Sequence, residues 1–127
     1  MISIRSLSLA LLALPAAGCA TRLPNTDFAE PAALERAMNR YYEAHASEQY
    51  GYCLRPYLDG VTQVAVIDEQ PQRLVVDMRY LYRDRLKDDR GGGFGRECTG
   101  HAGRRFTLAK GSAGGVEVLD MTGPRRS

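Results

Sequence analysis

The residues Arg73 to Arg83 read RLVVDMRYLYR, and apolar and polar side chains alternate along them. Successive side chains of a strand point to opposite faces, so Leu74, Val76, Met78, Tyr80 and Tyr82 share one face. The other face carries Val75, Asp77, Arg79, Leu81 and Arg83. The pattern predicts a β-sheet that buries one face and leaves the other mixed and largely polar.

A helix is predicted before this strand and further strands on both sides of it. Pro31 suits a first helical turn, with Asp27 or Glu30 as candidate cap, and the helix is expected over Pro31 to Ser47. Its apolar side combines Leu34, Ala37, Met38, Tyr41, Tyr42 and His45. Further strands are expected at Val61–Asp68, Arg104–Ala109 and Gly115–Met121, the last with a bulge near Val118 or an edge position.

This element order predicts an α+β fold in which one N-terminal helix packs on a four-stranded, mostly antiparallel sheet. The order resembles that of the NTF2-like and cystatin-like folds, and the resemblance rests on element order alone. The glycine-rich stretch from Asp84 to Gly103 is predicted to be a long loop. Gly91, Gly92, Gly93 and Gly95 match no phosphate-loop motif, which favours a connector over a nucleotide site.

The chain opens with features typical of a secretory signal peptide. Arg5 is followed by an apolar stretch from Leu7 to Leu14 and then by Pro15 and small residues. This stretch is too short to cross a hydrocarbon core, which takes roughly 20 apolar residues. Export through the membrane is therefore predicted, with residues 1–18 removed.

Ala16-Ala17-Gly18-Cys19 resembles the lipobox of bacterial lipoproteins, in which small residues precede a cysteine that becomes the lipidated N-terminus. The resemblance covers only the leader. It implies acylation at Cys19, a membrane anchor through that residue, and, because Ala20 follows, an outer-membrane location facing the periplasm. The domain organisation is then a signal peptide at 1–18, a lipidated N-terminus and tether at 19–29, and a single domain at 30–127; the alternative is an ordinary cleaved signal with Cys19 incidental.

Cys53 and Cys98 remain after Cys19, and thiols of exported proteins tend to pair in the oxidising periplasm. We expect them to form a disulfide, which the chain-entropy relation credits with about 4 kcal/mol. The alternatives are two buried thiols, or a metal pair completed by His45 or His101, although the spacing matches no zinc motif. No metal and no cofactor is predicted.

Charge argues against a nucleic-acid partner. Once Arg5 is removed with the leader, sixteen Lys and Arg residues stand against fifteen Asp and Glu, so no basic surface follows from net charge. The partners expected are the membrane, through acylated Cys19, and an envelope protein or small ligand. The seven tyrosines could line a groove for such a ligand or pack in the core and at its rim.

Two functions remain open. The first hypothesis is a lipid-anchored envelope protein that binds or scaffolds and catalyses nothing, because no coherent catalytic set is present. The alternative is a small NTF2-like hydrolase or isomerase in which His45 acts as general base, Asp77 orients it and Tyr80 assists. A partly buried structural role for His45 is favoured over a general base, and His101 is expected to be exposed.

Overall fold

In the part of the chain that the structure describes, one helix packs against one face of a four-stranded sheet. The computed structural model describes residues 26–84 and 98–126. Helix α1 spans Pro31–His45, followed by a 3₁₀ turn at Gln49–Gly51 and strands β1 (Pro56–Glu69), β2 (Arg73–Asp84), β3 (Thr99–Lys110) and β4 (Val116–Met121). The strands follow the order β1-β2-β3-β4, and every neighbouring pair is antiparallel. The predicted fold class is confirmed.

Helix α1 begins and ends where its sequence allows. Pro31 occupies the first turn, where its missing N–H costs no helical hydrogen bond, and the carbonyl of Glu30 accepts from the N–H groups of Ala33 and Leu34. The helix ends before Ala46, whose backbone is extended. It is therefore two residues shorter than predicted.

The core lies between α1 and the sheet. Leu34, Met38 and Tyr42 are the buried residues of the helix; they lie four residues apart on the predicted apolar side. They pack against the side of the sheet that we call the covered face, formed by inward residues that include Leu74, Val76, Met78, Tyr80, Phe106 and Leu108. The alternation in β2 is confirmed, because Leu74, Val76, Met78, Tyr80 and Tyr82 are all buried.

The opposite side of the sheet, the open face, carries the alternate residues. Cross-strand register aligns Gln63, Arg79 and Gly103 in one row and Ala65, Asp77 and Arg105 in the next. Among residues 26–84 and 98–126, no helix packs on this face, because α1 contacts the covered face. The sheet thus has one buried side and one accessible side.

The strands are longer than predicted. β1 starts at Pro56 rather than Val61 and shows three register shifts against β2, as expected of an edge strand. β2 runs through Asp84, and β3 starts at Thr99, so the loop predicted from Asp84 to Gly103 is wrong at both ends. Residues 85–97, with the four clustered glycines, lie outside the described residues.

The bulge predicted near Val118 is confirmed. Thr107 pairs with Asp120 and Leu108 pairs with Val118, which leaves Leu119 without a partner in β3. The extra residue keeps Val118 and Met121 on the covered face, where both are buried. Leu119 is exposed as a result.

The predicted disulfide between Cys53 and Cys98 is present, with a Cα–Cα distance of 5.6 Å. It joins the segment that follows α1 to the start of β3, and both cysteines are buried. Asp84 lies beside it and accepts a hydrogen bond from the backbone N–H of Arg55 at 3.0 Å. The bond therefore ties the end of the helical region to the sheet next to a buried carboxyl group.

Candidate functional site

The three residues of the alternative catalytic hypothesis do not come together. His45 is the last residue of α1 and is exposed, with its ring 4.3 Å from that of Tyr41, so the expectation of a partly buried histidine is wrong. Asp77 lies on the open face, whereas Tyr80 is buried on the covered face. The helix that carries His45 packs on the covered face, so the sheet itself separates His45 from Asp77. The two side chains therefore cannot form a catalytic dyad beside Tyr80.

A buried polar cluster occupies the space between the end of α1 and the sheet. One carboxylate oxygen of Glu48 accepts hydrogen bonds from the hydroxyls of Tyr42, at 2.9 Å, and Tyr80, at 2.6 Å. The same oxygen forms an ion pair with Arg104, whose Nη2 atom is 3.1 Å away. The Glu48 and Arg104 side chains are only 9% and 2% exposed. An ion pair this deep is retained only when its remaining hydrogen-bonding groups are satisfied.

Arg104 meets that condition in full. Its guanidinium donates five hydrogen bonds, which is all that the group can make. The acceptors are the Tyr80 hydroxyl, the Glu48 carboxylate and the backbone carbonyls of Ser47, Thr122 and Pro124. Two of these carbonyls lie beyond β4, so the arginine fastens the C-terminal segment to the core.

The cluster shifts the ionisation of its members. Burial raises the pKa of the Tyr42 phenol far above its ordinary value, and the nearby Tyr80 and Glu48 raise it further. Burial and the hydrogen bond to Glu48 likewise raise the pKa of Tyr80. For Arg104, burial lowers the pKa, but the oxygens of Tyr80 and Glu48 outweigh burial and raise it overall. The phenols stay neutral and the arginine stays charged, which suits a structural network.

The open face carries a groove of about 530 Å³, within the range of small-ligand pockets. Ala65 and Gly103 form its floor, because both are small and sit diagonally across β2. The lining around this floor consists of longer side chains, among them Gln63, Asp77, Arg79, Arg105 and Thr122. The groove exists because neither Ala65 nor Gly103 has a side chain large enough to fill it.

One wall of the groove is an ion pair. Arg105 donates to both carboxylate oxygens of Asp77, at 2.6 and 3.0 Å. The hydrogen bond from Arg105 lowers the pKa of Asp77, and the same bond raises the pKa of Arg105. Asp77 is thus fixed as an anion and its charge is neutralised within the groove.

Arg79 forms the other charged part of the groove. Its guanidinium makes no hydrogen bond or ion pair with any residue of the described ranges 26–84 and 98–126. The charges of the other two lining arginines are matched, Arg104 by Glu48 and Arg105 by Asp77. The groove therefore retains the single unneutralised positive charge of Arg79.

The remaining predicted site residues have plain structural placements. His101 is exposed as expected, on the open face, with its Nε2 atom 2.9 Å from the Thr62 hydroxyl. Cys53, Cys98 and Asp84 are the one group of the described residues with metal-ligand spacing. Because the sulfurs are joined, neither cysteine offers the thiolate that a metal pair would need.

Cys19 lies outside the described residues. Of the tyrosines, Tyr42, Tyr80 and Tyr82 are in the core, and none lines the open-face groove. The described part of the chain holds no helix long and apolar enough to cross a membrane.

Sequence reasoning missed both polar centres, although one signal was available. Arg104 keeps the parity of Phe106 and Leu108, which marks it as inward-facing, and Arg79 keeps the parity of Asp77. The partner of Arg104 could not be found this way, because Glu48 lies in the short connection between α1 and the 3₁₀ turn, where the sequence has no periodicity. Predicting the groove would have required the register between β1, β2 and β3, which cannot be read from the sequence.

Comparison of the chain with protein-family models, with curated proteins and with solved structures finds no match.

Proposed function

We propose that the protein is a lipid-anchored envelope protein of the outer membrane, facing the periplasm, and that its domain is a binding module. The observation that carries the binding function is the groove on the open face of the sheet, with its floor of Ala65 and Gly103. A helix covers one face of the sheet, while a concave, charged surface stays accessible on the other. Accessible concave surfaces on rigid sheets are typical of binding sites.

Export is supported by the disulfide between Cys53 and Cys98, because such bonds persist in oxidising compartments and are rare in the cytosol. The leader supplies the other support, since its small residues before Cys19 have the order of a lipobox. Two or more acyl chains at Cys19 would anchor the chain stably, since each buried CH₂ contributes about 0.8 kcal/mol. The acylated cysteine would then hold the binding module at the membrane surface.

Binding is favoured over catalysis by the composition of the groove. A hydrolase or isomerase using His45 and Asp77 needs the two side chains within hydrogen-bond reach, directly or through one water. Strand parity directs Asp77 away from the helix that carries His45, and Asp77 is already held by Arg105. The groove instead offers a guanidinium, an amide and a hydroxyl, which recognise ligands by hydrogen bonding.

Metabolic labelling with palmitate tests the anchor. Wild-type protein should be labelled and should fractionate with the outer membrane, whereas the Cys19→Ala variant should be unlabelled and released in soluble form. Cys53→Ala is the matched control, because it also replaces a cysteine by alanine and should still be labelled. Equal labelling of wild type and Cys19→Ala would contradict the proposal.

A pull-down of the acylated protein from its native envelope tests the binding function. The bait should retain a ligand or partner that the Gly103→Val variant fails to retain. A valine Cβ at this position would make ordinary contacts, 3.6 Å from the Met78 carbonyl and 3.7 Å from Arg79 Cγ, so it should fill the groove without distorting the strand. Identical recovery by both baits would contradict the groove as the binding surface.

A further inference from the structure

We infer that the open-face groove binds an organic anion whose carboxylate or phosphate group pairs with Arg79. This inference rests on the proposed binding function and adds the chemical class of the ligand. It starts from charge, since Arg79 is the one lining group whose charge no described residue balances.

The guanidinium suits an oxyanion because it is planar and always charged and presents N–H groups that match two oxygens of a carboxylate or phosphate. Arg79 is exposed, but its strand position is fixed by pairing with Gln63 on one side and Gly103 on the other. Gly103 leaves open the space directly beside the Arg79 stem. An anion can therefore approach the guanidinium from the floor of the groove.

Neighbouring groups favour the same ligand class. Gln63 can donate through its amide to a second ligand oxygen from the β1 side. Asp77 would repel an anion if it were unpaired, but Arg105 holds both of its oxygens. The volume of about 530 Å³ exceeds that of a simple ion and leaves room for an organic body over Ala65.

Anion binding can be measured on the full chain by NMR. Inorganic phosphate and acetate are titrated separately at constant ionic strength, with sodium chloride as the balancing salt. We expect saturable shifts centred on the backbone amides of Arg79 and Gly103 with at least one anion. Stronger binding of phosphate would indicate a phosphorylated ligand, and stronger binding of acetate would indicate a carboxylate ligand.

Two variants and a matched control test the assignment. Arg79→Gln should weaken binding about tenfold or more, since the charged hydrogen bonds are lost, and Gly103→Val should abolish it by filling the floor. Arg73→Gln is the control, because Arg73 is another exposed arginine of the open face that lies outside the groove. This control should bind the anion as the wild type does.

Equal weakening by Arg79→Gln and Arg73→Gln, or shifts spread over all exposed arginines, would show an adventitious ion only and would overturn the inference. Absence of binding by both anions would overturn it as well. If neither anion bound while the envelope pull-down still distinguished wild type from Gly103→Val, the anionic class would fail and the binding function would stand. Loss of both readouts would remove the two proposals together.

Discussion

Two adjacent arginines show how strongly environment decides what a residue does. Arg104 points to the covered face and gives all five of its hydrogen bonds to acceptors within the fold, while Arg105 points to the open face and pairs with Asp77 at the surface. An exposed pair is screened by water and contributes little, whereas a buried charge that loses its partner is costly. Strand parity alone separates the two cases.

Arg104→Met should lower the free energy of unfolding by about 3–5 kcal/mol, because it leaves Glu48 as an uncompensated buried carboxylate. Arg105→Met, the neighbouring control, should cost far less, because its ion pair with Asp77 is exposed to water. Urea denaturation measures both. Adding Glu48→Gln to Arg104→Met should restore part of the loss, and a double variant no more stable than the single one would contradict the electrostatic explanation.

Arg104 also restricts position 123 to glycine. The φ of +91° at Gly123 favours glycine, and a Cβ there would lie 2.9 Å from Arg104 Nη1. Gly123→Ala should therefore destabilise the fold by about 1 kcal/mol or more. Gly115→Ala serves as control, since a Cβ there meets nothing within 4 Å; equal thermal midpoints for the two variants would contradict the steric argument.

At the level of elements, the sequence predicted the helix and strand whose apolar residues recur at a regular spacing. The periodicity of α1 placed Leu34, Met38 and Tyr42 in the core correctly, although His45 is exposed. The alternation of β2 placed its five inward residues correctly. The first half of β3 was missed because Thr99 to Gly103 holds two glycines and a histidine, residues with weak strand preference. Pairing with residues 79–83 of β2 makes this segment a strand, and pairing between distant segments is not written in local sequence.

Helix α1 and strand β2 are joined by a pair of tyrosines, and this junction should weaken in alkali. Tyr42 from the helix and Tyr80 from the strand both donate to Glu48, and burial raises the pKa of each phenol. A raised folded-state pKa means that their contribution is complete below the ordinary tyrosine pKa of about 10 and is lost as the pH rises above it.

The free energy of unfolding should accordingly fall as the pH is raised above about 10, and the fall should be shallower in Tyr42→Phe. Urea titrations at a series of alkaline pH values, followed by phenolate absorbance, would measure it. Tyr50→Phe is the control, because Tyr50 is fully exposed, and this variant should keep the wild-type pH dependence. A pH dependence in Tyr42→Phe as steep as in wild type would exclude Tyr42 as its source.

At the scale of the whole molecule, backbone hydrogen bonds and a disulfide connect segments that are far apart in the sequence around one small core. The C-terminal segment returns to the end of α1, where the N–H of Arg126 donates to the His45 carbonyl and Pro124 accepts from the N–H of Ser47. The disulfide binds the following segment to β3. The carbonyls of Ser47 and Pro124 also accept from Arg104, so the returning C-terminal segment lies against the buried Glu48–Arg104 pair.

The disulfide should therefore supply a large share of total stability. Replacing Cys53 and Cys98 together by alanine should lower the free energy of unfolding by about 2–4 kcal/mol, against a total of about 5–15 kcal/mol for a domain of this kind. Reduction of the wild type should produce a similar loss, and the reductant should leave the double variant unchanged. Because the bond lies away from the open-face groove, anion-induced shifts at Arg79 should persist in any folded fraction. An unchanged urea midpoint in the double variant would show instead that the core and the buried ion pair hold the fold without this crosslink.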